Sequence, residues 1–207
     1  MAEYTFYTVA MSRGQISRWA LHEAGADYDQ VVFNWGQRPD DFTKINPMNK
    51  VPALVHHHGN HDHIITEAAA INHYLAETHP DKGLLPDAHE RASYFRWMFF
   101  AAGPIEQAVL ASALGWEVPE DRQATAGFGS LDMALSAMEG WLSDNDFAAG
   151  DRFTMADTYV GSQFIWGLQF GSIPERPVFK AYAERVTQRD AYIEASAIDA
   201  KLIEEAG

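Results

Sequence analysis

The sequence predicts two packed domains of different class, an α/β half followed by an all-α half. Up to about residue 80, short β-branched and aromatic runs alternate with apolar residues at helical spacing, in the order β-α-β-α-β-β-α. Prolines, glycine and charges then accumulate between Pro80 and Pro86, and every periodic segment beyond them is helical. We therefore place the domains at residues 1–80 and 88–207, joined by a linker at 81–87.

Each element follows from a local pattern. Strand positions are rich in Val, Ile, Phe and Tyr, helices carry apolar residues three and four positions apart, and a Gly-Asn pair marks a hairpin turn. In the first half we expect strands at 4–9, 28–33, 51–56 and 63–66, and helices at 12–25, 40–45 and from 68 onward. In the second half we expect helices at 88–114, 122–142, 156–168, 178–187 and 191–205.

The totals exclude several classes of function. The chain has 29 acidic against 15 basic residues, a formal net charge of −14, which disfavours binding to nucleic acid. It has no cysteine, so disulfides, thiolate metal sites and a cysteine nucleophile are excluded. No apolar run approaches the roughly 20 residues of a membrane helix, and no signal peptide is visible, so we expect a cytoplasmic protein.

One candidate binding feature is Val51-Pro52, where a loop enters the third strand. A proline in this position is a candidate cis peptide. Such a bond would turn the backbone N–H and C=O of Val51 outward, where they could pair with a bound peptide as a neighbouring strand does. The alternative is an ordinary proline at the start of a strand.

A second candidate feature is Thr66-Glu67-Ala68, at the junction of a strand and a helix. A helix N-terminus offers N–H groups and partial positive charge to a carboxylate, and Glu67 offers an acceptor to an ammonium group. The alternative is that Glu67 only stabilises its own helix dipole.

A third segment, Thr154 to Asp157, indicates a folding signal. Thr154 can cap a helix while Asp157 reaches back to the backbone of the capping residue, which is a capping box with Asp in place of the usual Glu or Gln.

These three segments, read as INPMNKVPALV, TEAAAINHYL and AAGDRFTMADTYVG, resemble the strand entry, third helix and helix-capping segment of the glutathione transferase superfamily. The resemblance covers essentially the whole chain. It implies a thioredoxin-like domain at residues 1–80 that binds glutathione as co-substrate, an all-helical domain that binds a small-molecule electrophile, and a homodimer. It implies a glutathione S-transferase, a detoxification enzyme that uses no metal.

The resemblance also implies which residues bind glutathione. Val51 would pair with the tripeptide backbone, Glu67 and Ala68 with the γ-glutamyl group, and Lys50 with the glycyl carboxylate. Arg13 would add positive potential for the anionic ligand. Two positions depart from the family pattern: Ala68 stands where serine is usual, and Asn49 stands where glycine is frequent.

The thiol must be ionised near neutral pH, and the loop that follows the first strand should supply the donor. We predict that Ser12, at the entrance to the first helix, donates a hydrogen bond to the thiolate. The alternative role of Ser12 is a helix N-cap. Tyr7 is the rival donor, since several transferase classes use a tyrosine near this point, although core packing also explains it.

The prediction of an electrophile pocket rests on aromatic residues of the second domain and on the family resemblance. The predicted pocket residues are Tyr94, Trp97, Met98 and Trp116, each of which core packing would also explain. Conjugation is the leading reaction; a glutathione-dependent peroxidase, an isomerase and a non-catalytic binding or stress-response protein of the same fold are alternatives. The histidines between His56 and His63 invite a metal hypothesis, but they flank a hairpin turn where exposed polar residues are normal, and we predict no metal site.

Overall fold

The computed structural model describes residues 2–206, which divide into two compact units. One unit contains the residues up to Leu85 together with those from Gln188 onward, and the other spans Pro86–Thr187. The predicted α/β half and all-α half are confirmed. The domain bounds predicted above stay a prediction, and the structure adds that the last helix packs against the first unit.

The first unit contains a four-stranded mixed sheet with the order β2-β1-β3-β4. β1 runs parallel to β2 and antiparallel to β3, and β3 runs antiparallel to β4. The strands are β1 at Tyr4–Thr8, β2 at Tyr28–Val32, β3 at Ala53–His58 and β4 at His61–Thr66. The helices are α1 at Gly14–Ala24, α2 at Phe42–Ile45, α3 at Ala68–Thr78 and, from the end of the chain, α9 at Asp190–Ala206.

Alternation along β1 separates two packed faces of this sheet. Phe6 lies on the face covered by α1, and Thr8 on the same face lies against the start of that helix. The opposite face carries a cluster built on Val9, Phe33, Phe42 and Ala53, against which Tyr7 and Val51 pack. Both faces are therefore buried, as expected for a sheet with helices on each side.

The second unit is entirely helical, with connecting turns. Its helices are α4 at Arg91–Phe100, α5 at Glu106–Ala113, α6 at Leu131–Asp144, α7 at Met155–Gln169 and α8 at Pro177–Thr187. A π-helical turn at Ala101–Ile105 joins α4 to α5 and contains Pro104. Because proline has no N–H to donate, the regular hydrogen-bond pattern cannot run through this point.

One helix prediction is wrong in part. The expected helix at 122–142 begins only at Leu131, after a 3₁₀ turn at Glu120–Arg122 and a series of turns. Gly129 adopts a left-handed conformation with φ of 62°, and the Ser130 hydroxyl then accepts a hydrogen bond from the Met133 N–H at 3.2 Å. Glycine and the serine cap therefore set the start of α6.

The predicted capping box at the start of α7 is present. The Asp157 carboxylate is fully buried and accepts hydrogen bonds from the Thr154 N–H at 2.8 Å and the Ala148 N–H at 2.7 Å. The Tyr182 hydroxyl of α8 donates a further bond to it at 2.8 Å. Burial raises the pKa of Asp157 to about 6, although these hydrogen bonds act in the opposite direction.

We predict that the Asp157→Asn variant reveals this titration as a pH-dependent stability difference. The folded state holds the Asp157 proton more tightly than the unfolded state between pH 3.8 and about 6. The free energy of unfolding of the wild type, minus that of the variant, should therefore fall as pH rises through this window. Urea unfolding at several pH values measures it, and a difference that rises or stays constant would contradict the assignment.

Candidate functional site

The strand register places the three predicted site segments at one end of the sheet. Tyr7, near the end of β1, lies opposite Ala53 at the start of β3, and Ala53 in turn lies opposite Thr66 at the end of β4. The loop containing Ser12 leaves from this end of β1. Residues 50–52 enter β3 at the same end, and Glu67 follows β4 there. The sheet thus brings together three segments, the outer two of which, at Ser12 and Glu67, are 55 residues apart in the chain.

Ser12 lies in the loop between β1 and α1 and is half-buried. Its hydroxyl donates a hydrogen bond to the Val9 carbonyl oxygen at 2.7 Å and accepts one from the Gly14 N–H at 3.0 Å. The hydroxyl therefore stands at the N-terminal end of α1, where the helix contributes partial positive charge. To donate to an incoming ligand it must rotate away from the Val9 carbonyl, and it can keep the Gly14 bond while doing so.

Gly14 allows this loop to approach β1 closely. A Cβ atom added at Gly14 would lie 1.9 Å from Thr8 Oγ1 and 3.0 Å from Ser12 Oγ. No side chain fits at the first distance, so only glycine permits the observed path. The sequence contains the Ser-Arg-Gly run, but the need for glycine appears only once β1 and the loop are packed together.

The Val51–Pro52 peptide bond is cis, as the sequence suggested. The preceding loop is braced by the buried side chain of Asn46, whose Nδ2 donates to the Lys50 carbonyl oxygen at 2.8 Å. The Oδ1 atom of Asn46 accepts from the Met48 N–H at 3.0 Å. Sequence reasoning missed this role, for which the Asn-Pro pair was the available turn signal.

Asn49 and Glu67 are the non-glycine residues among positions 2–206 that have positive φ, at 53° and 66°. Asparagine tolerates this left-handed geometry, and at Asn49 it replaces the glycine expected from the resemblance. Glutamate tolerates it less well, so the conformation of Glu67 carries a backbone cost that the surrounding fold imposes. Both strained residues flank the same end of the sheet.

Ala68 begins α3 and is buried, with Glu67 exposed immediately before it. Helix geometry leaves the first N–H groups of α3 without acceptors inside the helix. Arg13 and Lys50 are exposed and add two cationic side chains to the segments that meet here. This end of the sheet therefore combines backbone donors and positive charge in a chain with net charge −14.

Tyr7 occupies a different environment from Ser12. Its ring lies 5.5 Å from that of Phe42 and packs in the cluster under α2. Burial raises the pKa of its hydroxyl, and the charges of Asp41 and Asp62 act in the same direction. Tyr7 is thus held by apolar packing, whereas the Ser12 hydroxyl lies in the loop itself.

Comparisons with known proteins identify the family of the chain. The N-terminal domain of the glutathione S-transferase family matches residues 2–77, and its C-terminal domain matches residues 95–190. Glutathione S-transferase Z2 of Arabidopsis thaliana is 33% identical over 160 residues, 70% of this chain and 68% of its own. Glutathione S-transferase GstA of Escherichia coli O157:H7 is 28% identical over 156 residues, 72% of this chain and 75% of its own. This chain belongs to the glutathione S-transferase superfamily.

Comparison with a solved structure shows that the likeness extends to the three-dimensional fold. The sphingomonad glutathione S-transferase complexed with glutathione superposes with a TM-score of 0.75 at 26% identity, covering 95% of this chain and 98% of its own. The thioredoxin-like first domain and the helical second domain of the glutathione S-transferase fold are thereby confirmed.

The predicted pocket residues fall into two groups in this transferase family member. Tyr94, Trp97 and Met98 are almost completely buried in α4, within the core of the second unit. Trp116 follows α5 and is 66% exposed. The first three therefore belong to the core, whereas Trp116 is exposed to solvent; the role of all four in a pocket stays a prediction.

The histidines of the β3–β4 hairpin lie along its two strands. His56 is buried, stacks on Tyr4 with ring centroids 4.5 Å apart, and shares a hydrogen bond with the Tyr74 hydroxyl at 2.8 Å. The rings of His58 and His63 lie 5.3 and 6.2 Å from it. Among residues 2–206, no group of three or more His, Asp or Glu side chains is arranged to hold a metal ion. No helix in the same range is both long and apolar enough to span a membrane.

We predict that Gly14→Ala destabilises the protein by about 1–3 kcal/mol, since the added methyl group must displace Thr8 or the Ser12 loop. Gly140→Ala is the matched control, because that exposed helical glycine has nothing within 4 Å of an added Cβ. The control should gain about 0.5–1 kcal/mol from helix propensity. Chemical denaturation measures both, and equal effects of the two substitutions would refute the close approach at Gly14.

Proposed function

We propose that this chain is an enzyme that binds glutathione in its first unit and ionises its thiol beside Ser12. The thiolate sulfur then forms a bond to an apolar electrophile, so that the whole tripeptide becomes attached to it, and the electrophile either releases its leaving group with the bonding electron pair or takes up a proton after addition. The observation that carries the proposal is the strand register, which places Ser12, Val51 and Glu67 at one end of the sheet. Membership of a transferase family and the likeness to a glutathione-bound relative support it.

Each part of glutathione has a chemical counterpart at this end of the sheet. Val51, before the cis proline, offers its backbone groups to the tripeptide backbone. The N-terminal amides of α3, beginning at Ala68, suit the γ-glutamyl carboxylate, and the Glu67 carboxylate suits its ammonium group. The cations of Lys50 and Arg13 suit the glycyl carboxylate and the overall negative charge of the ligand.

Ionisation of the thiol requires selective stabilisation of the anion. A free thiol has a pKa near 8.5, and each unit of lowering needs about 1.4 kcal/mol. The Ser12 hydroxyl supplies one hydrogen bond once it rotates away from the Val9 carbonyl, and the N-terminus of α1 adds partial positive charge. Both act on the thiolate more than on the neutral thiol, which is the condition for lowering the pKa.

We propose that Tyr94, Trp97 and Trp116 of the second unit, together with Met98, contribute to the binding of the electrophile. An apolar substrate fits this aromatic composition. We also propose a cytoplasmic homodimer active in detoxification; size-exclusion chromatography with light scattering tests the oligomeric state.

A non-catalytic glutathione-binding protein is the second candidate, and two observations favour it. Ala68 has no hydroxyl to offer the γ-glutamyl group, and the Ser12 hydroxyl is engaged by the Val9 carbonyl. Retention on immobilised glutathione without turnover of a generic aryl halide would support this candidate. Retention together with turnover would support the transferase. A protein that shows neither retention nor turnover would contradict both candidate functions.

We predict that Ser12→Ala raises the pKa of the bound glutathione thiol by about 1–2 units, since a hydrogen bond to a charged group is worth about 1.5–3 kcal/mol. The ultraviolet absorbance of the thiolate, titrated against pH at saturating glutathione, measures this change. Tyr7→Phe is the matched control, because it removes the rival hydroxyl and should leave the titration unchanged. A shift in Tyr7→Phe with none in Ser12→Ala would transfer the role to Tyr7.

We predict that Ala68→Ser tightens glutathione binding by about tenfold, which corresponds to about 1.4 kcal/mol. The new hydroxyl lies at the start of α3 and can donate to the γ-glutamyl carboxylate, in addition to the backbone amide. Isothermal titration calorimetry measures the affinity, and Ala69→Ser, one position along the helix, serves as the control. Unchanged affinity in Ala68→Ser would show that the carboxylate binds elsewhere.

A further inference from the structure

The helix that carries the Ser12 loop is held by the end of the chain. Arg18, in the middle of α1, is fully buried, and its Nε donates to Asp199 Oδ1 of α9 at 2.7 Å. Another nitrogen of the same guanidinium donates to the Tyr28 hydroxyl at 3.1 Å and to Gln30 Oε1 at 2.8 Å, both on β2. Arg18 therefore connects α1 to β2 and to α9. In the chain, α9 comes after the whole second unit.

The ion pair is well shielded from solvent. The Arg18 side chain is 0% exposed and that of Asp199 is 7% exposed. A guanidinium buried to this extent carries a large desolvation cost that only its partner and hydrogen bonds offset. The position of the Arg18 guanidinium is therefore strongly constrained. A displacement of Asp199 would displace Arg18 and, with it, α1.

The first turn of α1 transmits this constraint to the site. The Gln15 N–H donates to the Ser12 carbonyl oxygen at 3.2 Å, and the Ile16 N–H donates to the Arg13 carbonyl oxygen at 3.1 Å. The Gly14 N–H donates to the Ser12 hydroxyl itself at 3.0 Å. A shift of α1 along or around its axis would move the Ser12 hydroxyl with it.

A second ion pair also connects α1 to the C-terminal part of the chain, and it lies nearer the C-terminal end of α1. Arg189 Nε and a second guanidinium nitrogen donate to the two carboxylate oxygens of Glu23 at 2.6 and 2.7 Å. The Trp19 indole N–H also donates to Glu23, at 2.9 Å. Glu23 is five residues beyond Arg18, about 7–8 Å farther along the helix from Ser12. It anchors the distal part of α1.

We propose that Arg18 and Asp199 are positioning residues through which the C-terminal helix α9 holds the Ser12 hydroxyl in place for the thiol of glutathione. The catalytic half of this statement rests on the proposed function of Ser12. The mechanical half, that Asp199 orders the first turn of α1, stands on the contacts alone. The two halves are therefore measured separately.

The test compares Asp199→Asn with Glu23→Gln, since each replaces one buried carboxylate by an amide of the same shape. Amide hydrogen exchange at Gly14, Gln15 and Ile16 reports the order of the first turn without any ligand. We expect exchange there to be faster in Asp199→Asn by about tenfold, equivalent to 1.4 kcal/mol, and unchanged in Glu23→Gln. Equal exchange in Asp199→Asn and the wild type would overturn the proposal.

The thiol titration then tests the link to catalysis. We expect the pKa of bound glutathione to rise in Asp199→Asn, with a higher KM for glutathione, and to stay at the wild-type value in Glu23→Gln. A wild type that binds no glutathione thiolate would refute the proposed function, whereas the exchange data would still decide the positioning role. A normal wild-type titration that Asp199→Asn leaves unchanged would overturn positioning alone.

A double variant guards against loss of folding. Arg18→Met combined with Asp199→Leu replaces the pair by apolar side chains, a change that can preserve stability. It also removes the bonds to Tyr28 and Gln30. Wild-type stability with faster exchange at Gly14 and a raised thiol pKa would support positioning, and wild-type values of all three would overturn it.

Discussion

The antiparallel pairing of β3 with β1 on one side and with β4 on the other is the constraint on which the site depends. It aligns Tyr7, Ala53 and Thr66 across three strands. The loop before α1, the loop that ends in the cis proline and the start of α3 then emerge together. A slip of one residue in either pairing would turn the side chains of a strand to the opposite face and separate these loops.

Close packing fixes the paths of the loops that the strand register brings to one end of the sheet. Gly14 lets the loop pass against Thr8, and the Asn46 side chain braces the turn before Pro52. Asn49 and Glu67 adopt left-handed backbone conformations at the same end of the sheet. Strain of this kind persists only where the surrounding structure over-determines it, and it concentrates at binding sites. Here it lies on both sides of the proposed glutathione position.

The two buried aspartates differ in what they stabilise. Asp157 accepts bonds from the backbone of its own helix entry and from Tyr182, so it organises the second unit. Asp199 pairs with Arg18 and draws the end of the chain onto the first unit. Burial raises the pKa of both carboxyls, and the Arg18 charge opposes this shift at Asp199. Asp157 thus stabilises the start of one helix, whereas Asp199 connects two parts of the first unit that are distant in sequence.

Local patterns in the amino-acid sequence were enough to predict the class of each half, most of the elements and the three family segments. These depend on local signals, such as hydrophobic period, turn residues and the capping pair Thr154 and Asp157. The predicted start of α6 was wrong because apolar spacing continues through residues 122–130. The helix begins only after the left-handed turn at Gly129 and the cap at Ser130. At this point the turn chemistry of Gly129 and Ser130, and not the apolar period, decides where the helix begins.

The partners that these residues contact could not be predicted from local patterns, because they are set by the packing of the folded chain. The burial of Tyr94, Trp97 and Met98 and the pairing of Arg18 with Asp199 depend on segments far away in the chain, and the need for glycine at position 14 depends on how its loop packs back against Thr8. Arg18 and Asp199 are 181 residues apart, and nothing in the local sequence of either marks the other. Local propensity acts over a few residues, whereas burial and charge pairing are set by the three-dimensional neighbours that the completed fold supplies.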